Sequence, residues 1–203
     1  MRTQTLLPVF TLLGIVASTA ETFPAANGLE RSLVVEQPLV QNPISVSVDV
    51  DGTIYVTETA RRKAADLDIR QFYKNGWIEH DLSHTSVEDK LAFFREQLDG
   101  KKKFPKTGLK DHNKDGKIDV EDLTAITEKV IRITDKDGDG KYDTSNVFAE
   151  DFNTEVTGIA AGTLAWRGDI YATIAPDLWK LRDTTGDGKA DKREVSRSFH
   201  RSG

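Results

Sequence analysis

The stretch GTIYVT at residues 52–57 returns as GDIYAT at residues 168–173. Both copies read Gly-x-Ile-Tyr-x-Thr, rich in the β-branched and aromatic residues that favour strands. Each is followed by an apolar run that ends in an aspartate-rich loop: Ile131-Arg132-Ile133-Thr134-Asp135 after the first copy, Trp179-Lys180-Leu181-Arg182-Asp183 after the second. Self-similarity of this kind is weighed before any single motif, because it decides the architecture.

The second copy shows the unit without interruption. TGIAAGTLAW, DIYATIA, DLWKLRD and REVSRSF read as four strands, with a turn at Arg167-Gly168 and a break at Ala175-Pro176. In the first copy ISVSVDV, residues 44–50, alternates strictly, which predicts a half-buried strand with Ile44, Val46, Val48 and Val50 on one face. Asp51-Gly52 is a turn signal, and TIYVTET returns along it. KVIRITD and NVFAEDF complete the first set of four. From the glycine of the motif to the loop aspartate is 15 residues in the second copy, Gly168 to Asp183, and 83 in the first, Gly52 to Asp135. The excess matches an insertion at residues 60–128. The predicted fold is mainly β: two four-stranded β-propeller-type blades at 44–59 and 129–203, an incomplete propeller, with a helical insertion. Within the insertion, Ser86 and Asp89 form a capping-box pattern, and Val87, Leu91, Phe94 and Leu98 share one face of a helix stopped by Gly100.

Three stretches concentrate negative charge. Residues 135–143, DKDGDGKYD, hold four aspartates, although like charges a few ångströms apart repel by about 1 kcal/mol per pair even in water. Each stretch places oxygen-bearing side chains at loop positions 1, 3, 5 and 9, glycine at 6, and a residue at 7 that offers its backbone carbonyl. The first has Asp111, Asn113, Asp115, Lys117 and Asp119; the second Asp135, Asp137, Asp139, Lys141 and Asp143; the third Asp183, Thr185, Asp187, Lys189 and Asp191. That is the spacing of a calcium loop, where alternate side chains point inward at a hard cation. The position-12 ligand of a full EF-hand falls on Asp122, Asn146 and Glu194. Asn146 is a poor bidentate ligand, so Asp122 and Glu194 are the expected closing groups. After the first loop, Val120, Leu123, Ile126 and Val130 predict a helix, which gives a dockerin-like half-site and a possible protein partner through that loop and helix. The other two loops sit in strand–strand hairpins, where calcium is expected to rigidify a turn.

The totals fit an exported protein. Met1 to Ala20 reads as a signal peptide, with Arg2, an apolar core from Leu6 to Ala17, and small residues before Glu21. A polar lead, 21–43, follows, and no other run is long and apolar enough to cross a membrane. The chain has no cysteine, which excludes disulfides and thiolate metal sites and leaves calcium as the expected staple. A net charge of −5 argues against a nucleic-acid partner. The basic run Lys101-Lys102-Lys103 with Lys106 reads as a solvated loop, as do His80, Asp81 and His84.

The segments VSVDVDGTIYVTET, ITDKDGDGKYDTSNVFAEDF and TGIAAGTLAWRGDIYATIAPDLWKLRDTTGDGKADKREV resemble the start of bacterial membrane-bound dehydrogenases of the glucose/sorbosone dehydrogenase-like type. These are β-propellers related to PQQ-dependent sugar dehydrogenases. The resemblance spans roughly residues 40–196 and implies a six-bladed propeller that oxidises a sugar or alcohol with a calcium-held quinone. No position matches that family's catalytic histidine, its quinone contacts or its cytochrome motif. The expectation is therefore a calcium-binding N-terminal portion that carries blades and loops, is inactive alone and does not itself bind PQQ.

Overall fold

The computed structural model describes residues 32–99 and 109–198. The signal segment, residues 21–31 of the polar lead, Gly100, the basic run and His200 lie outside the described residues. Among the described residues, eight strands form two antiparallel four-stranded sheets, each a simple meander. The first contains β1 (Pro43–Val48), β2 (Ile54–Glu58), β3 (Glu128–Thr134) and β4 (Thr144–Phe152). The second contains β5 (Ala160–Trp166), β6 (Asp169–Ile174), β7 (Asp177–Arg182) and β8 (Lys192–Ser198). The two copies of Gly-x-Ile-Tyr-x-Thr both form a second strand, and each glycine has positive φ at the preceding turn, +90° for Gly52 and +81° for Gly168.

One face of each sheet closes on the other. Tyr55, Val130, Phe148 and Phe152 of the first sheet share a buried cluster with Ala160, Ala165, Ile170, Ala172, Ile174 and Leu181 of the second. Complete burial contributes about 1.5–3 kcal/mol for each of Val130, Phe148, Ile170, Ile174 and Leu181 and less for the alanines. The packing is head-to-tail with respect to the repeat. The first sheet turns its Tyr55 face inward and the second its Ile170 face. Ile54, which matches Ile170, lies on the outer side of the first sheet with Val56, Ile131 and Ile133, under Val35, Leu39 and Val40. Tyr171, which matches Tyr55, pairs with the exposed Leu164 on the outer side of the second.

The strand β1 reverses the expected burial. Its alternation is real, but Ile44, Val46 and Val48 are 42%, 65% and 56% exposed, and Val50 in the turn beyond is 68% exposed. The polar face is the one that is covered. Ser45 Oγ accepts the Thr163 amide at 3.1 Å, Ser47 Oγ the Ala165 amide at 2.9 Å, and the Asp49 carboxylate the Arg167 and Gly168 amides, both at 2.7 Å. The strand β5 lies against β1 without a ladder between them, so its backbone donors need side-chain acceptors.

The insertion has its own core. A 3-10 segment, Ile69–Asn75, leads into α1 (Trp77–Ser83) and α2 (Val87–Gln97). The predicted capping box is present at Ser86 and Asp89. Phe72, Trp77, Phe93, Phe94, Leu98, Leu109 and Leu123 pack together, with Phe72 stacked on Trp77 at 4.2 Å. His80, Asp81 and His84 are not a loop. His80 and Asp81 belong to α1 and His84 caps it; His80 stacks on Phe93 at 4.9 Å and Asp81 faces Lys90 at 3.4 Å.

The helix expected after the first aspartate loop does not form. Val120–Thr124 makes one 3-10 turn, and Val130 belongs to β3. Pairing outweighs the helical spacing, because Glu58 to Ile54 align with Lys129 to Ile133 across β2 and β3. Two buried charges fix this junction. The Arg61 guanidinium donates to the carbonyls of Ala65, Leu123, Ile126, Thr154 and Thr157. The Glu128 carboxylate accepts the Ala60, Arg61 and Ala160 amides and the Thr59 hydroxyl. Burial lowers the Arg61 pKa while the nearby Glu128 charge opposes that shift. Each charge is solvated by backbone rather than by a direct ion pair, which is how a buried charge is tolerated. This pair ties the insertion to the start of β3 and to the β4–β5 connection.

Candidate metal centre

The three aspartate-rich loops share one backbone path. Glycine at position 6 has φ of +89° in Gly116, +88° in Gly140 and +86° in Gly188. Position 4 is also left-handed in all three, at Lys114, Gly138 and Gly186, a regularity the calcium-loop spacing did not bring out. At Gly188 a side chain would also crowd Arg132 and Asn146, 3.3 Å from where a Cβ would stand.

The same hydrogen bonds recur in each loop. The position-1 carboxylate accepts the position-6 amide: Asp111 from Gly116 at 2.9 Å, Asp135 from Gly140 at 2.8 Å, Asp183 from Gly188 at 2.7 Å. The position-5 carboxylate accepts the position-7 amide: Asp115 from Lys117 at 2.8 Å, Asp139 from Lys141 and Asp187 from Lys189, both at 2.9 Å. At position 3, Asn113 and Asp137 accept the position-5 amide, at 3.0 and 3.2 Å. In the third loop Thr185 instead donates its hydroxyl to Asp183 at 3.2 Å. These bonds fix the orientation of the loop side chains, and the position-1 carboxylate accepts amides at both of its oxygens in all three loops.

Among the described residues, carboxylate oxygens come together closely enough to share an ion only in the second loop. One carboxylate oxygen from each of Asp135, Asp137 and Asp139 lies within 4.8 Å of the other two, close enough for the three to hold a metal ion. The donors are all hard oxygens, the set suited to calcium, magnesium or manganese and not to soft metals. The Gly140 amide leads the groups that hold the Asp135 pKa below its ordinary value. Burial tends to raise that of Asp183, but the Gly186, Gly188 and Thr185 amides outweigh it and the net shift is downward. The Thr184 hydroxyl and amide lower that of Asp191. Lysine ammonium groups stand beside two position-5 carboxylates, Lys117 3.8 Å from Asp115 and Lys141 3.4 Å from Asp139.

The closing residues differ. Asp122 is fully buried, and its carboxylate accepts the His112, Asn113 and Asp119 amides at 2.6, 3.2 and 2.9 Å. Asp119 caps the 3-10 turn through the Glu121 amide. Glu194 stands in β8 opposite Lys180, with the two charges 3.8 Å apart across the sheet. Asn146 is a strut: its amide donates to the Gly188 carbonyl at 2.6 Å, fastening the third loop to β4. The Ala190 amide bonds the Phe148 carbonyl at 2.8 Å beside it. The Tyr142 hydroxyl fastens the second loop to the β1–β2 turn through the Gly52 carbonyl, also at 2.8 Å. The second and third loops thus share one end of the sheet stack, while the first lies in the insertion at the other. Neither Arg61 nor Glu128 was singled out as a structural anchor from sequence.

The chain belongs to the DUF7133 family, described as a domain of unknown function, whose model matches residues 16–201. No curated protein and no solved structure matches the chain.

Proposed function

We propose that the aspartate-rich loops hold calcium ions as structural staples, in the opening blades of an exported, dehydrogenase-like β-propeller. The observation that carries the metal part is the convergence of Asp135, Asp137 and Asp139 in a loop whose backbone path is repeated twice elsewhere. Asp143 and the Lys141 carbonyl would complete the oxygen set of the second loop. The ion would offset the clustered charge and fix the hairpin ends. The propeller reading is supported by two meander sheets that repeat one motif and stack head-to-tail. The apolar leader fits an exported protein. Oxidation of a sugar or alcohol, and the quinone that would accept the electrons, follow from the family resemblance alone, and no residue of this chain is assigned to either. A dockerin-like role loses its main support, since the helix that would present the first loop to a partner is a single 3-10 turn.

The experiment is thermal unfolding in excess calcium and in chelator. Loops of extracellular modules bind with Kd around 10⁻⁴–10⁻³ M. At calcium a hundredfold above Kd, one site adds about 2.7 kcal/mol, a rise of roughly 5–10 °C for a chain this size. Asp135→Ala should shrink that rise. Identical melting of both proteins in calcium and in chelator would overturn the reading of the second loop.

A further inference from the structure

A cleft of about 350 Å³ opens at the end of the sheet stack where the insertion docks, away from the hairpin loops and on neither outward sheet face. Three parts of the chain build it. Val87 and Leu91, one turn apart on α2, form one wall; Phe152 and the β4–β5 connection form the second; Ile174, Pro176 and Trp179, around the β6–β7 turn, form the third. Its floor is apolar. Phe152 and Ile174 are buried, and the Trp179 ring stands edge-on to Phe152 at 5.3 Å. Clefts of roughly 300–1,000 Å³ with apolar walls and a few polar groups are the usual form of a small-molecule site.

Three carboxylates and no cation line this cleft. Two of the three charges are met from outside it. Glu155 takes the Arg95 guanidinium at 2.7 Å, the ion pair that fastens α2 to the β4–β5 connection. The Asp151 charge acts on the Arg193 guanidinium, which lies over the Phe152 and Trp179 rings at 4.4 and 5.7 Å. Asp177 is the remainder. It opens β7 two residues before Trp179, so the two side chains share a face of the sheet. Asp177 is half-buried, and its carboxylate has no hydrogen-bond or ion-pair partner among the described residues. An ionised carboxylate beside apolar surface is costly until a donor or a cation meets it.

We propose that this cleft binds a small organic monocation, an ammonium carried on an aromatic or aliphatic body, with the nitrogen at Asp177 and the body against Phe152, Ile174 and Leu91. One unmatched carboxylate calls for one positive charge. Walls of aliphatic and aromatic carbon call for an apolar remainder, and no cation of the lining would receive an anion. The aromatic pair at the base already accepts a cation in Arg193, the contact that ring quadrupoles favour. None of these residues belongs to the aspartate-rich loops, so the proposal stands apart from metal binding.

The test is a titration of the full chain with phenethylammonium, followed by its amide resonances. Saturable shifts should appear at residues 87–91, 151–157 and 174–179, which carry the lining. Phenethyl alcohol, a neutral analogue of nearly the same size, should bind about tenfold more weakly, the factor that one charged hydrogen bond supplies. Asp177→Asn should weaken the ammonium by about the same factor and leave the alcohol unchanged; Asp177→Ser repeats this if the first variant fails to fold. Leu91→Trp, which fills the cleft, should abolish both, and Val87→Trp fills it from the neighbouring turn. No saturable shift at these positions, an alcohol that binds as tightly as the ammonium, or an ammonium affinity that survives loss of the Asp177 charge would overturn the proposal.

Discussion

The first aspartate loop and the two hairpin loops follow the same path through position 7 and then part. In the hairpins, position 9 closes the loop by taking the position-2 amide: Asp143 from Lys136 at 3.4 Å, Asp191 from Thr184 at 2.5 Å. In the first loop the position-2 amide of His112 goes to Asp122 instead, three residues further on and fully buried. Asp119 is thereby freed to cap the turn that follows. The shared part is local chemistry, made of an aspartate that gathers amides and a glycine with positive φ. The closing part is tertiary. A hairpin brings position 9 back beside position 2, whereas the first loop ends in a buried turn that Arg61 grips through the carbonyls of Leu123 and Ile126.

This comparison can be broken most severely at Arg61. Arg61→Met should cost about 3–5 kcal/mol, the range for removing one of two buried charges, because five buried carbonyls lose their donor and the nearby Glu128 carboxylate loses the positive charge close to it. Urea unfolding measures it, and a cost under about 1 kcal/mol would show that the junction does not depend on the guanidinium. Asp122→Ala should cost about 2–3 kcal/mol in metal-free protein, since it strands amide donors in a buried turn. Asp143→Ala and Asp191→Ala, at exposed closures, should each cost less than about 1 kcal/mol. Equal costs at all three positions would erase the distinction between the two kinds of closure.

The smallest effect is a titration. The Asp135 pKa is lowered, with the Gly140 amide as the leading cause. A depressed carboxylate contributes its stability in full above its unfolded pKa and loses it as pH falls through the lower, folded value. In metal-free protein the Gly140 amide resonance should therefore hold steady through about pH 4, near the ordinary aspartate value, and move only in stronger acid. A midpoint at or above that value would mean the bond from Gly140 does not hold the charge.

Repeats and turn chemistry carried the strands into view from sequence. Two copies of Gly-x-Ile-Tyr-x-Thr and the turns at Asp51-Gly52 and Arg167-Gly168 located all eight to within a few residues. The loops were legible because their hydrogen bonds run between residues at most seven apart in the hairpins. Burial was less so. Alternation in β1 told which residues share a face, but not that the polar face would be the covered one; that depends on the unladdered amides of β5. The helix read from Val120, Leu123, Ile126 and Val130 failed for a similar reason. Its spacing is genuine, yet β3 must pair with β2, and Glu128 is pinned by amides from distant residues. Arg61 carried no local signal at all, since its acceptors lie up to 96 residues away.

The most direct measurement is a calorimetric titration of calcium into the metal-free chain, beside the double variant Asp135→Asn with Asp137→Asn. The account predicts saturable binding to the wild-type chain and the loss of one site's worth of heat in the variant. Absence of saturable heat on the folded wild-type chain, or an unchanged stoichiometry in the variant, would contradict it.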